Sequence, residues 1–319
     1  MALILAGIDE AGYGPLLGPL CVGCAAVRIE HWTIGDPAPD LWRLLKRAVC
    51  RSPGDRRKRI AVADSKRLKL ANSVKTSGPL IHLERAAASF LAVAGAAPTD
   101  DDAVLGALGV RLRAGWYAVD PAPFPRDLTA AQHRIDANTL RAAMATAGLS
   151  VHLLGCEAIC EDEFNAIVRR TGSKAEATVE AIGRRLRQLA PLALRGDTVR
   201  ICCDRLGGRI DYTEPLAREL PGLPLTVLEQ TPARSLYEIG DVPGACRIEF
   251  RPEAEDAHLP VALASILAKL TRELAMARLN RHFSPRLAGV RPTAGYRQDA
   301  GRWRAGFRRC GRGPAAHRA

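Results

Sequence analysis

Carboxylates recur at separated places in this chain: Asp9 and Glu10 in GIDEAGYGPLLGP, Asp64 in ADSK, Asp204 in VRICCDRLGG, and Glu255 and Asp256 in EDAHLP, which runs on to ASILAKLTRE. Converging carboxylates repel one another, and divalent cations relieve that repulsion. Two such ions about 3.5–4 Å apart can activate a water and stabilise the leaving oxygen of a phosphodiester. Oxygen-only donors favour Mg²⁺ or Mn²⁺ over zinc. Metal-dependent phosphate chemistry is therefore the reaction class that these residue types predict.

Each acid also has a plainer reading. Asp9-Glu10 alone would be a solvated strand end, and Asp204 a strand-to-loop residue capping the Gly207-Gly208 turn. Asp256, four residues before Pro260, would be a surface or capping acid in a first helical turn. Two nucleotide motifs fail outright. Gly12-x-Gly14 lacks the GxGxxG spacing and leads through Pro15 into an apolar strand, and no Lys-Ser/Thr follows for a P-loop.

The elements that must position the acids follow from apolar runs and their punctuation. Leu3 to Ile8 and Leu20 to Ile29 read as strands joined through Gly12-Tyr13-Gly14-Pro15. Strand alternation would send Asp9 and Glu10 to opposite faces, and the glycine turn is expected to supply the bend that reunites them. Ile60 to Ala63 approaches Asp64, and Val151 to Leu154, Val199 to Cys203 and Leu225 to Leu228 read as further strands. Helices are expected over Ile81 to Ala94, Glu161 to Val168, Ala175 to Leu189 and Val261 to Leu279. PTDDD and DPAPFPRD look loop-like, which marks 95–148 as an insertion. Strands that first arrive together and then alternate with helices predict one mixed α/β sheet. The catalytic domain is expected over 1–300, with 301–319, carrying six Arg and no acid, as a disordered basic tail.

Composition bounds the partners. The 319 residues carry a net charge of +12 and a pI near 9.6, which suits polyanions and nucleic acid above all, although the Arg excess would also follow from a biased genome. Nine cysteines sit mostly in apolar runs and read as buried thiols in a reducing cytosol. Cys21 and Cys24 form a CxxC without a second ligand pair at zinc spacing. MALILAGIDE lacks a basic leader region, no apolar run reaches membrane-spanning length, and a cytoplasmic monomer is expected.

Four ordered segments resemble the type 2 ribonucleases H, enzymes that cut RNA within RNA–DNA hybrids. GIDEAGYGPLLGP is similar to the family's GIDEAGRGP start, DSKRL to DSKxL, DAHLPVALASILAKLTRE to DAxxP…ASILAKxxRD, and AGYRQD to its GY segment. The resemblance runs from Gly7 to about Asp299. It implies an α/β RNase H-like fold, a five-stranded mixed sheet flanked by helices with a helical C-terminal part. It implies metal ligands and catalytic acids at Asp9, Glu10, Asp204 and Asp256, holding two Mg²⁺ or Mn²⁺ ions. Substrate contact would come from Gly12, Tyr13, Gly14, Ser65 and Lys66, and from Tyr296 against a sugar.

The chain departs from that pattern in three places. Tyr13 stands where the family has Arg, and tyrosine lacks the fork for bidentate phosphate binding. Arg297 replaces the usual proline after Tyr296. The Asp256-to-ASILAK spacing is one residue short, so a gapless alignment makes Glu255 the fourth acid, whereas the DAHLP spacing makes it Asp256. The implied activity is endonucleolytic cleavage of RNA–DNA hybrids or ribonucleotide-containing DNA, leaving 3′-hydroxyl and 5′-phosphate ends. The alternatives are a non-catalytic hybrid-binding protein and another nuclease on the same fold.

Overall fold

The computed structural model describes residues 2–33, 35–71, 77–286 and 291–309. Its framework begins with two long antiparallel strands, β1 (Leu3–Ala11) and β2 (Leu20–Ile29). Inward and outward residues alternate along both, so each buries two different faces. Ile4, Ala6, Ile8, Val22 and Cys24 enter one core, while Leu3, Cys21, Ala25 and Val27 enter the other. Cys21 and Cys24 thus lie on opposite faces of β2, and their CxxC spacing brings no pair of ligands together.

After β2 come α1 (Leu41–Leu44), the two-residue strands β3 (Val49–Cys50) and β4 (Ile60–Ala61), α2 (Ser65–Leu68) and α3 (Ile81–Val93). β3 and β4 pair only with each other, so the apolar approach to Asp64 lies outside the main sheet. The 95–148 segment holds α4 (Asp101–Ala107) and α5 (Ala130–Thr146). PTDDD is a helix start rather than a loop, because Asp100 accepts the Ala103 N–H at 2.8 Å as an N-cap. Buried Asp101 receives Arg278 and Arg281, which fastens this segment to the C-terminal part.

The chain continues through β5 (Leu149–Ile159), α6 (Glu161–Thr171), α7 (Lys174–Leu189), β6 (Thr198–Asp204), α8 (Thr213–Glu219), β7 (Leu225–Gln230), β8 (Ser235–Ile239) and β9 (Cys246–Arg251). One mixed sheet orders them β5-β2-β1-β6-β9-β8-β7, with β1, β6 and β9 mutually parallel and the other neighbours antiparallel. The α/β class and the flanking helices are as expected, but the sheet has seven strands rather than five. β8 and β9 escape an apolar-run reading because Glu238, Arg247 and Glu249 alternate with their buried residues.

A short α9 (Ala254–Ala257) leads into α10 (Leu259–Phe283), which has Pro260 in its first turn and is buried at every position from Leu259 to Arg272. It lies almost in contact with the sheet backbone. A Cβ on Gly7 would sit 2.1 Å from Val261 N, and one on Gly23 2.1 Å from Ala264 O. Only glycine permits that approach. α11 (Arg297–Arg309) corrects the expectation of a disordered tail from 301: Trp303 is buried, its ring edge-on to Phe283 at 5.3 Å. Residues 310–319 lie outside the described residues. No described helix is long and apolar enough to cross a membrane, and the eight described cysteines are buried and unbridged.

Candidate active site

The acids gather where parallel strands β1 and β6 end side by side. Ile8 pairs with Cys203, so Asp9 and Asp204 follow at neighbouring positions one step beyond. Both fall on the α10 face, since they share alternation with Gly7 and Cys202. β1 pairs with β2 through Ala11, so the glycine turn begins only after Glu10 and does not supply the expected bend there. Glu10 keeps strand alternation, yet Asp204 is the strongest charge acting on it.

Burial and mutual repulsion make this a costly cluster. Burial first, then Glu10 and Asp204, push the Asp9 carboxyl well above its ordinary range. Burial and Asp204 push Glu10 up to about 7, against the opposing pull of Lys66. Asp204 is raised by burial, partly offset by the backbone N–H groups of Ala254 and Arg205 and by Lys66. Uncompensated carboxylates of this kind are the expected signature of a cation site.

The fourth acid facing this group is Glu255, not Asp256. Glu255 is raised by burial and by Asp204 and Asp64, and its own charge raises Glu10. Its Oε2 is buried with no hydrogen-bond partner among the described residues. Glu253, at a left-handed φ of +52°, turns the chain from β9 into α9 just before it. Asp256, the acid preferred on Asp-to-Pro spacing, is instead clasped by Arg67, with Nη1 to Oδ1 and Nη2 to Oδ2 both at 2.9 Å. Arg51 Nη1 holds the Asp256 carbonyl at 2.6 Å.

α2 brings in the DSK segment. Asp64 caps it, accepting the Lys66 N–H at 3.0 Å, and exposed Lys66 acts on Glu10, Asp204 and Glu255. Ser65 is buried, its hydroxyl 2.9 Å from that of Ser265, and Ser265 in turn bonds Asp9. Ser65 therefore packs against α10 instead of facing solvent. The exposed basic loop Arg51, Arg56, Arg57 and Lys58 lies on the way from β3 to β4, and no motif in the sequence marks it.

The glycine turn and the GY segment meet on buried Arg272, which donates to Pro19 O (2.8 Å), Leu17 O (3.0 Å) and Ala294 O (3.0 Å). Gly295 O also accepts Leu16 N at 2.7 Å. Gly12 has φ +103° and no room for a Cβ, whereas Gly14 faces open space. Tyr13 and Tyr296 are 46% and 48% exposed, and the Tyr296 ring lies 5.9 Å from both Lys269 Nζ and Arg272 Cζ. Arg272 is legible only as a motif letter; its role needs two loops to converge on α10.

The donor chemistry fits a hard divalent ion, because Asp9, Glu10, Asp204 and Glu255 offer oxygen alone and Glu255 Oε2 is unpartnered. The acids stand wider apart than a closed site. Among the described residues, the set of three possible ligand atoms all within 4.8 Å of one another is Cys202, Glu249 and His258.

No family model and no curated protein matches this chain. Solved structures similar to it include a chain of the PCNA:RNase HII complex from Archaeoglobus fulgidus, at 16% identity and TM-score 0.45 over 99% of this chain and 93% of that one. Ribonuclease H2 from Pyrococcus horikoshii OT3 is similar at 15% identity and TM-score 0.44, over 99% and 92%. Bst-RNase HIII in complex with Mn²⁺ is similar at 15% identity and TM-score 0.38, over 96% and 62%.

Proposed function

We propose that this protein is a metal-dependent endoribonuclease that cleaves the RNA strand of RNA–DNA hybrids, leaving 3′-hydroxyl and 5′-phosphate ends. The observation that carries the reading is the placement of Asp9, Glu10, Asp204 and Glu255 at one end of the sheet, with carboxyls raised by burial and mutual repulsion and Lys66 beside them. The sequence segments that resemble type 2 ribonucleases H supply Asp9, Glu10, Lys66 and the immediate neighbour of Glu255, and Asp204 joins them from the end of β6.

Asp9 and Asp204, neighbours on parallel strands, would hold the ions together with Glu10 and Glu255. Mg²⁺ or Mn²⁺ held there would activate a water and neutralise charge on the leaving 3′-oxygen. Ser265, beside Asp9, favours its ionised form. Lys66 attracts the scissile phosphate, and Arg51 and Arg67 continue the positive surface along the backbone of the substrate. Tyr296, set over two cations, packs against a sugar, and the RNA strand is distinguished by its 2′-hydroxyl. The net charge of +12 suits this partner.

The test is a cleavage assay with Mg²⁺ or Mn²⁺ on three labelled duplexes: a continuous hybrid, DNA with one ribonucleotide and DNA with four. Cleavage of the hybrid that Asp9→Asn and Asp204→Asn abolish, with hybrid binding in EDTA retained, is the expected result. Full activity in either variant would remove the two-metal reading. Binding without cleavage by the wild type would leave a hybrid-binding protein on this fold.

A further inference from the structure

A second cluster lies on the same sheet face, behind the acidic end. Cys202 of β6 pairs with Glu249 of β9, and His258, at the α9–α10 junction, closes over them. Their donor atoms all lie within 4.8 Å of one another. Cys202 is only 6% exposed, and both His258 Nε2 and Glu249 Oε1 are buried without a hydrogen-bond partner among the described residues. All three line a cleft of about 430 Å³ together with Arg200, Arg247 and Pro260.

We propose that Cys202, Glu249 and His258 form a transition-metal site that takes Zn²⁺, separate from the oxygen-donor site of the four acids. A thiolate, an imidazole and a carboxylate are zinc donors, whereas Mg²⁺ has no use for sulfur or nitrogen ligands. Around a tetrahedral ion with bonds of about 2.0–2.3 Å, donors stand roughly 3.3–3.8 Å apart, so small side-chain rotations close this set. The fourth position faces the cleft and is open to water.

Charge balance supports a cation here despite neighbouring arginines. Cys202 binds as thiolate, its proton passing to solvent, so thiolate and carboxylate together cancel the two charges of the ion. Arg251 Nη1, 3.6 Å from Glu249 Oε1, makes only a long contact that the ion displaces. Cys202 stands two residues before Asp204 and His258 three after Glu255, so an occupied site braces the end of β6 and the short helix α9.

The test needs no substrate and is independent of the nuclease reading. The full chain, saturated with Mg²⁺, is titrated with Zn²⁺ by calorimetry and with Co²⁺ by absorption. One equivalent of Zn²⁺ should bind, the melting temperature should rise, and Co²⁺ should give a thiolate charge-transfer band. Cys202→Ser should abolish that band, and His258→Gln and Glu249→Gln should each weaken Zn²⁺ by at least roughly tenfold while melting normally without zinc. Absence of Zn²⁺ binding, or a band that persists in Cys202→Ser and so comes from another thiol, would overturn the site. If Cys202→Ser fails to fold, the two Gln variants decide: unchanged Zn²⁺ affinity in both rejects the proposal.

Discussion

Arg67 grips Asp256 through two parallel hydrogen bonds of 2.9 Å, while the neighbouring Glu255 acts on Glu10 and is itself raised by Asp204 and Asp64. Adjacent acids in one short helix thus have opposite assignments. Glu255→Gln is expected to lower hybrid cleavage by about 100-fold or more, since even supporting residues of metal sites cost 10- to 100-fold. Asp256→Asn should cost only a few-fold, through a loosened Arg67. Single-turnover rates on a continuous hybrid decide between them, and the reverse order would restore Asp256 as the fourth ligand.

The raised carboxyls carry a stability signature with a definite sign. Glu10 has an ordinary value of 4.5 and stands at about 7 in the fold, so its neutral form is the one the fold favours. Its contribution is present in full below pH 4.5 and is lost as pH rises through 7. Asp9, Asp204 and Glu255 shift in the same direction. In EDTA, the melting temperature of Glu10→Gln relative to wild type should therefore rise between pH 4.5 and 7.5, and Mg²⁺ should stabilise wild type more at pH 7.5 than at 5. A difference between the two proteins that stays flat across this window would show that Glu10 is not destabilised by its neighbours.

Close approach of α10 to the sheet predicts a contrast between glycines. Gly7→Ala places a methyl 2.1 Å from the Val261 backbone and should cost about 1–3 kcal/mol or more in urea unfolding. Gly14→Ala meets nothing within 4 Å and should unfold like wild type. Equal midpoints for the two variants would mean that α10 can move off β1 freely.

Tyr13 sets the expected substrate preference. Without an arginine at this exposed position, a charge-assisted contact of about 1.5–3 kcal/mol is missing, equivalent to roughly one to two orders of magnitude. Wild type should cut continuous hybrids or short ribonucleotide runs faster than a single embedded ribonucleotide, and Tyr13→Arg should raise the single-site rate selectively. Equal wild-type rates on single sites and runs would leave specificity to the backbone around Gly12 and Gly14.

The strands that end at Asp9 and Asp204 were legible because continuous apolar runs announce buried strands, and α10 because no face of it is polar. β8 and β9 were not, because Glu238, Arg247, Glu249 and Arg251 interrupt their buried residues, so only pairing with β6 and β7 identifies them as sheet. Composition and spacing by themselves determined an α/β protein with a set of acids suited to divalent ions and a surface suited to polyanions. Only the tertiary structure distinguishes Glu255 from Asp256, since Glu255 follows the left-handed turn at Glu253 and acts on Glu10, while Asp256 pairs with an arginine 189 residues away in sequence. It also decided that Ser65 packs against Ser265 of α10, and that Arg272 ties the glycine turn to the Tyr296 segment. Such contacts join residues from 22 to 253 positions apart, and local propensity carries no information about which distant partner a side chain will meet.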